Sequence, residues 1–135
     1  MKEKVLGSIE YGCVVVGSKL VVVMGHTRCG AVTSALEGHL ARQNALEATG
    51  CEHIDSVLDE IRKSIDDSDV NVDADDSSLV QKAADEIAVR NVRNSVEVIR
   101  RRSRRLRQLE ESGQIRIVGA MYDVQTGRVD ILDSI

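Results

Sequence analysis

Residues 20–24 read Leu-Val-Val-Val-Met, an apolar run rich in β-branched residues with no polar residue alternating through it. A strand with one wet face alternates apolar and polar positions. An unbroken run therefore predicts a strand covered on both faces, as in a parallel sheet. Directly after it the chain reads Gly-His-Thr-Arg-Cys-Gly at 25–30. Gly25 and Gly30 permit a sharp turn and a close backbone approach. His26 and Cys29 bring an imidazole and a thiol, the donor types zinc favours. A helix starting near Gly30 adds partial positive charge, which attracts anions. Open α/β sheets collect their ligands here, outside the carboxyl ends of the strands. On its own the His-x-x-Cys spacing is a weak signal, since a buried cysteine beside a helix-capping histidine reads the same way.

The flanking segments read as helices and strands in alternation. Ser8 as an N-cap and Gly17 as a stop predict a short helix over 7–17, with Ile9, Cys13 and Val16 on one face. A second helix starts near Gly30 and runs through AVTSALEGHLARQ. Ile54, Val57, Leu58, Ile61 and Ile65 recur at i, i+3, i+4 and i+7, which predicts an amphipathic helix over 51–65. The longest helical pattern spans about 78–112, with a break placed near Arg90–Arg93 and Gly113 as its terminator. QIRIVGAMYDV reads as a second buried strand, Thr126-Gly127 as a hairpin turn, and RVDIL as a returning edge strand. The expected fold class is α/β, a layered and mostly parallel sheet flanked by helices. At 135 residues the chain is read as a single domain, 1–135. Its core has no Phe, Trp or Pro to draw on, so Val, Ile, Leu and Ala must fill it.

The stretch GSIEYGCVVVGSKLVVVMGHTRCGAV resembles, nearly position by position, the zinc-binding core of the β-class carbonic anhydrases. That core runs Gly-Ser-(Leu/Ile)-Glu-Tyr-Ala, helix, apolar strand, then Gly-His-(Thr/Ser)-x-Cys-Gly. The segment NVRNSVEVIRRRSRRLRQLEESGQIRIVGAMYDVQTGRVDIL resembles the last helix, strand and hairpin of the same family. The two blocks cover over half the chain, in the family's order. The resemblance implies a β-carbonic-anhydrase-like fold with His26 and Cys29 as ligands of Zn2+. It also implies that the Gly30 N–H orients carbon dioxide or bicarbonate, and that the reaction is reversible hydration of carbon dioxide. It further implies a homodimer or higher homo-oligomer.

The chain departs from the family's pattern in one respect. The family's third ligand is a cysteine in a Cys-x-Asp-x-Arg motif, whose Asp contacts the metal-bound water and whose Arg holds the Asp. No such motif occurs in these 135 residues, so no catalytic residue is identifiable by this route. The reading is therefore an incomplete, N-terminally truncated domain with impaired activity. It also leaves the 19–24 strand with an unpaired apolar edge. The alternative is a non-catalytic anion-binding, regulatory or dimerisation module built on the fold, attached in one version to an anion transporter.

Other constellations offer less. Cys51 and His53 form a Cys-x-His that would complete four donors with His26 and Cys29, but no common zinc-site spacing supports it. The bland reading makes Cys51 the start of a helix, His53 a solvated first-turn residue, Cys13 a small core residue and His39 exposed at a helix end. Residues 67–73, DSDVNVD, mimic the first calcium-loop positions. They lack the glycine at the sixth and the glutamate at the twelfth, which is Ser78, so a solvated mobile loop is expected. The run RRRSRRLR at 100–107 has Glu97, Glu110 and Glu111 nearby as ion-pair partners and no interleaved aromatics, so it reads as a solvated helix face. A net charge of −4 argues against a nucleic-acid partner. Three unevenly spaced cysteines, with no apolar segment of signal or membrane-spanning length, point to a reducing, cytoplasmic setting, with membrane contact only through an attached transporter.

Overall fold

The apolar run at 20–24 does form a strand, β1 (Leu20–His26), in a computed structural model that describes residues 1–132. It is preceded by α1 (Glu3–Val14) and followed by α2 (Gly30–Leu40), α3 (Ala45–Thr49), α4 (Asp55–Arg62) and a 3-10 turn at Asp69–Asn71. Then come α5 (Ser77–Arg102), α6 (Arg104–Glu111), β2 (Arg116–Tyr122) and β3 (Val129–Leu132). The fold is α/β, a three-stranded sheet in the order β1-β2-β3 flanked by helices. β1 and β2 pair in parallel, with Leu20 opposite Arg116 and His26 opposite Tyr122, and β3 returns antiparallel to β2. Among the described residues no helix is long and apolar enough to cross a membrane.

The expectation of a first strand covered on both faces is corrected. β1 is an edge strand, and exposure alternates along it: Leu20, Val22 and Met24 are exposed, while Val21 and Val23 are half-buried. Successive side chains point to opposite faces of a strand, and α5 covers only the face of Val23 and Gly25. Ile131, in register with Ala120 and hence with Met24, is likewise exposed on the other face. The unbroken apolar sequence thus describes two apolar faces, only one of which carries a helix among the described residues.

The close fit of α5 on the sheet depends on two glycines. A Cβ built on Gly25 would lie 2.6 Å from Val92 Cγ2 and 2.9 Å from Met121 Sδ. One built on Gly119 would lie 2.9 Å from Val92 Cγ1. Val92 therefore occupies a notch that any larger residue at 25 or 119 would fill. α5 is started by Asp76, whose carboxylate accepts the Ser78 and Leu79 N–H groups. Its stripe Ala84, Ile87, Ala88 and Val92 packs with Leu36 of α2 and Leu58 of α4 in one core cluster. Val96 and Ile99, further along, join Leu6, Leu106, Leu109 and Ile117 in a second.

The long helical pattern breaks at Ser103, while the backbone at 90–93 is unbroken helix. Ser103 leaves helical geometry at φ −108° and ψ 100°, caps α6 by accepting the Leu106 N–H at 3.2 Å, and donates its hydroxyl to Glu10 of α1. The break turns Leu106 and Leu109 back onto the core. Arg100 fixes the turn from the other side, donating to both carboxylate oxygens of Glu110 at 2.8 and 2.9 Å and to Glu97 at 2.8 Å. Glu110 also accepts the Ile117 N–H of β2 at 3.2 Å. The basic run thus pairs with Glu97 and Glu110 as its sequence implies, and one of its arginines ties α5, α6 and β2 together.

Several boundaries differ from expectation. α1 begins at Glu3, and Ser8 lies inside it, donating its hydroxyl to the Lys4 carbonyl instead of capping. The helix expected from 51 begins at Asp55, with Cys51 in the preceding turn. The short α3 was not legible as a separate element; it is held by a capping box between Asn44 and Glu47. The acidic segment is anchored: Asp69 is buried and accepts from Arg90, whose Nε also donates to the Ser64 carbonyl at 3.0 Å.

Gly25→Ala and Gly119→Ala are each expected to destabilise the protein by about 1–3 kcal/mol through overpacking against Val92. Gly30→Ala, where an added Cβ meets nothing within 4 Å, should stay within about 0.5 kcal/mol. Urea unfolding of the three variants checks the contrast. A pH effect follows from Glu110, whose carboxyl is held below its usual range first by the Arg100 hydrogen bond. A depressed carboxylate stabilises the fold fully above its unfolded value of about 4.3 and loses that contribution as pH falls through the lower folded value. Urea midpoints should therefore fall on acidification below about pH 4.3, and Glu110→Gln should flatten that part of the curve.

Candidate metal centre

The parallel ladder carries the chain to His26 and one residue beyond. The Thr27 N–H donates to the Tyr122 carbonyl at 3.0 Å, and Thr27 Oγ1 accepts the Val124 N–H at 3.2 Å. Arg28 then turns the chain in the left-handed region at φ 56°. Its N–H donates to Asp85 Oδ1 of α5 at 2.8 Å, an oxygen that also accepts from Gln81 Nε2 at 3.0 Å. Cys29 is extended (φ −71°, ψ 112°) and is the N-cap residue of α2; its carbonyl accepts the Thr33 N–H and hydroxyl at 3.0 and 3.2 Å. Its side chain makes no capping bond, so the sulfur is left for other partners.

His26 is exposed, and its Nδ1 lies 2.9 Å from the Thr27 carbonyl oxygen. A carbonyl only accepts, so Nδ1 carries the proton in this bond and Nε2 presents the lone pair. A backbone partner of this kind fixes the tautomer that a ligating histidine requires. His26 and half-buried Cys29 line one cavity of about 440 Å3, together with Met24, Val57, Asn91 and Ser95. Glu60 is also in its wall, with its carboxylate taken up by Lys63 at 2.9 Å, a bond that holds it below the usual carboxylate range.

The structure thus brings His26 and Cys29 to one cavity at the carboxyl end of a parallel strand. Gly30 is the first residue of α2, where a backbone N–H has no intrahelical acceptor. Cys51 and His53 are exposed in the turn between α3 and α4, and His39 is exposed in the last turn of α2. Cys13 is buried in the second core cluster, where burial pushes its thiol pKa up. Among the described residues no group of three or more His, Cys, Asp or Glu side chains is placed to hold a metal. The four-donor set with Cys51 and His53 is therefore not formed. The donors present fit zinc in kind and number two, where a catalytic zinc takes three from protein. Sequence reasoning missed Thr27, Asp85 and Tyr122. The first carries no ligand chemistry, and the other two come from distant segments, so only the folded register shows them.

Fold and site define a class: an α/β protein with an imidazole and thiol pair at the end of a parallel strand, on the start of the following helix. The family model described as carbonic anhydrase matches residues 1–129. Carbonic anhydrase 2 of Mycobacterium tuberculosis is 33% identical over 131 residues, covering 97% of this chain and 57% of that protein. The carbonic anhydrase of Mycolicibacterium smegmatis is 30% identical over 131 residues, covering 94% of this chain and 55% of that protein. The β-carbonic anhydrase CafA of Aspergillus fumigatus superposes with a TM-score of 0.72 at 27% identity, over 98% of this chain and 57% of its own. A tetrameric β-carbonic anhydrase of Sordaria macrospora gives a TM-score of 0.77 at 19% identity, over 99% and 62%. The chain belongs to the carbonic anhydrase family, in its β class. It spans little more than half the length of the curated relatives it matches.

The three thiols are free and differ in exposure. Under native conditions a maleimide reagent should label Cys51 fastest, Cys29 more slowly, and Cys13 only on unfolding; mass spectrometry of digests taken through the reaction checks the order.

Proposed function

We propose that His26 and Cys29 are zinc ligands and that the associated reaction is the reversible hydration of carbon dioxide to bicarbonate, a lyase activity. The supporting observation is that the two side chains line one cavity at the carboxyl end of β1, with the His26 Nε2 lone pair left free by the Thr27 carbonyl. Bound zinc supplies a Lewis acid that makes hydroxide available near neutral pH. The chain's own residues supply the rest. Met24 and Val57 give the cavity an apolar wall suited to carbon dioxide, and the free N–H of Gly30 is an acceptor-seeking group suited to bicarbonate. With two donors brought together among the described residues, zinc binding is weak and turnover impaired in this chain by itself. The unit acts as a single domain in a homo-oligomer in the cytoplasm.

A second reading, a non-catalytic anion-binding or regulatory module that also mediates dimerisation, is favoured by the two-donor count and by the open β1 edge with its exposed Leu20, Val22 and Met24.

The test measures zinc per chain and the rate of carbon dioxide hydration in a stopped-flow pH-indicator assay, for the protein and for His26→Ala and Cys29→Ala. The enzyme reading expects zinc uptake and a slow hydration rate, both lost in either variant. Zinc uptake without hydration selects the second reading. A stably folded chain that takes up no zinc overturns the metal assignment.

A further inference from the structure

The loop joining the two donors is held by a residue on another element. Arg28, between His26 and Cys29, is a non-glycine residue at φ 56°, a conformation that side-chain-bearing residues adopt at a cost unless something holds them there. What holds Arg28 is the Asp85 carboxylate, which accepts its backbone N–H at 2.8 Å across 57 positions of sequence. Asp85 is itself braced by Gln81 Nε2, one helical turn earlier on α5, donating to the same oxygen at 3.0 Å. The Arg28 side chain is exposed, so the grip falls on the backbone that separates the donors. Seven positions further along α5, Val92 fills the Gly25 notch on the other side of His26. Asp85 and Val92 lie two turns apart on one face of the helix and bracket the loop from both ends.

We propose that Asp85 is a positioning residue of the metal centre: by accepting the Arg28 N–H it fixes the left-handed turn that sets where the Cys29 sulfur stands relative to the His26 imidazole. The assignment rests on the reading of His26 and Cys29 as zinc donors. Asp85 touches neither donor and acts through the backbone between them. The requirement is an acceptor oxygen at that place, which a neutral amide also provides.

The experiment uses the full chain with Asp85→Ala, Asp85→Asn and Gln81→Ala. Cobalt(II) is titrated against each, and binding is followed by the near-ultraviolet charge-transfer absorption of a thiolate-bound cobalt. In parallel, hydrogen exchange of the Arg28 amide is measured by NMR on the metal-free proteins. Loss of a residue that orients a ligand typically weakens metal affinity by about 10–100-fold. Asp85→Ala should do so and should speed exchange at Arg28 while leaving Val23 and Gly119 protected. Asp85→Asn should restore both properties to near the parent values, and Gln81→Ala should fall between. Parent-like cobalt affinity and Arg28 protection in Asp85→Ala overturn the proposal. Equal loss in Asp85→Asn and Asp85→Ala also overturns it, since the acceptor oxygen is then not what matters. If the parent chain takes up no cobalt, the zinc reading fails, while Arg28 exchange in the metal-free variants still decides the role of Asp85. Should Asp85→Ala not fold, Asp85→Asn against Gln81→Ala carries the same decision.

Discussion

The contact between α5 and the β1–β2 pair governs the rest of the molecule. Val92 fits only because positions 25 and 119 have no side chain, and that closeness brings the helix onto both strands at once. From that seat α5 packs against α2 and α4 along one stretch and against α1, α6 and β2 along another. A larger residue at either glycine would push the helix off the sheet and disturb both clusters together, because interiors are packed at near-crystalline density. The candidate site hangs on the same contact, since Gly25 is the residue before His26.

Much of this was legible in the sequence because the signals were local. The apolar run gave β1, the glycine-flanked His26 and Cys29 gave the strand-to-helix turn, and the helical stripe of Ile87, Val92, Val96 and Ile99 gave α5. Gly113 and Gly127, at φ 71° and 76°, sit where a helix end and a hairpin turn were expected. The misses have physical reasons. Periodicity cannot tell a strand covered on both faces from one whose two apolar faces differ in cover, so the run at 20–24 reads as a strand covered on both. The helix breaks at Ser103 because the serine caps α6 and bonds Glu10 of α1, a partner visible only in the folded chain. The acidic segment looked loose because charge alone does not reveal that Arg90 reaches Asp69. At the site, the two donors stand out by residue type, whereas the Asp85 carboxylate and the Tyr122 carbonyl grip the loop by its backbone N–H groups and leave no pattern near 25–30.

Charge is used economically in this acidic chain. Arg100 and Arg90, arginines of one helix, each tie that helix to another segment, through the half-buried carboxylate of Glu110 and the buried one of Asp69. Bidentate geometry of the Arg100–Glu110 kind is the sort that contributes to stability, unlike the mobile ion pairs of an exposed surface. The arginine-rich stretch is thereby divided between one side chain that welds α5, α6 and β2 and others that remain in solvent.

Two of the bonds that shape the donor loop reach across long spans: 57 positions from Arg28 to Asp85 and 97 from Thr27 to Val124. Closing such spans carries a large entropic cost before any contact rewards it, so topologies rich in them assemble slowly. The arrangement of His26 and Cys29 is therefore completed only after β2 has docked beside β1 and α5 has settled across both. Before that moment the nascent chain offers a metal ion two flexible donors on an unformed turn. Afterwards it offers the pair on a formed turn, so a metal held in that arrangement would favour the folded state over the unfolded one.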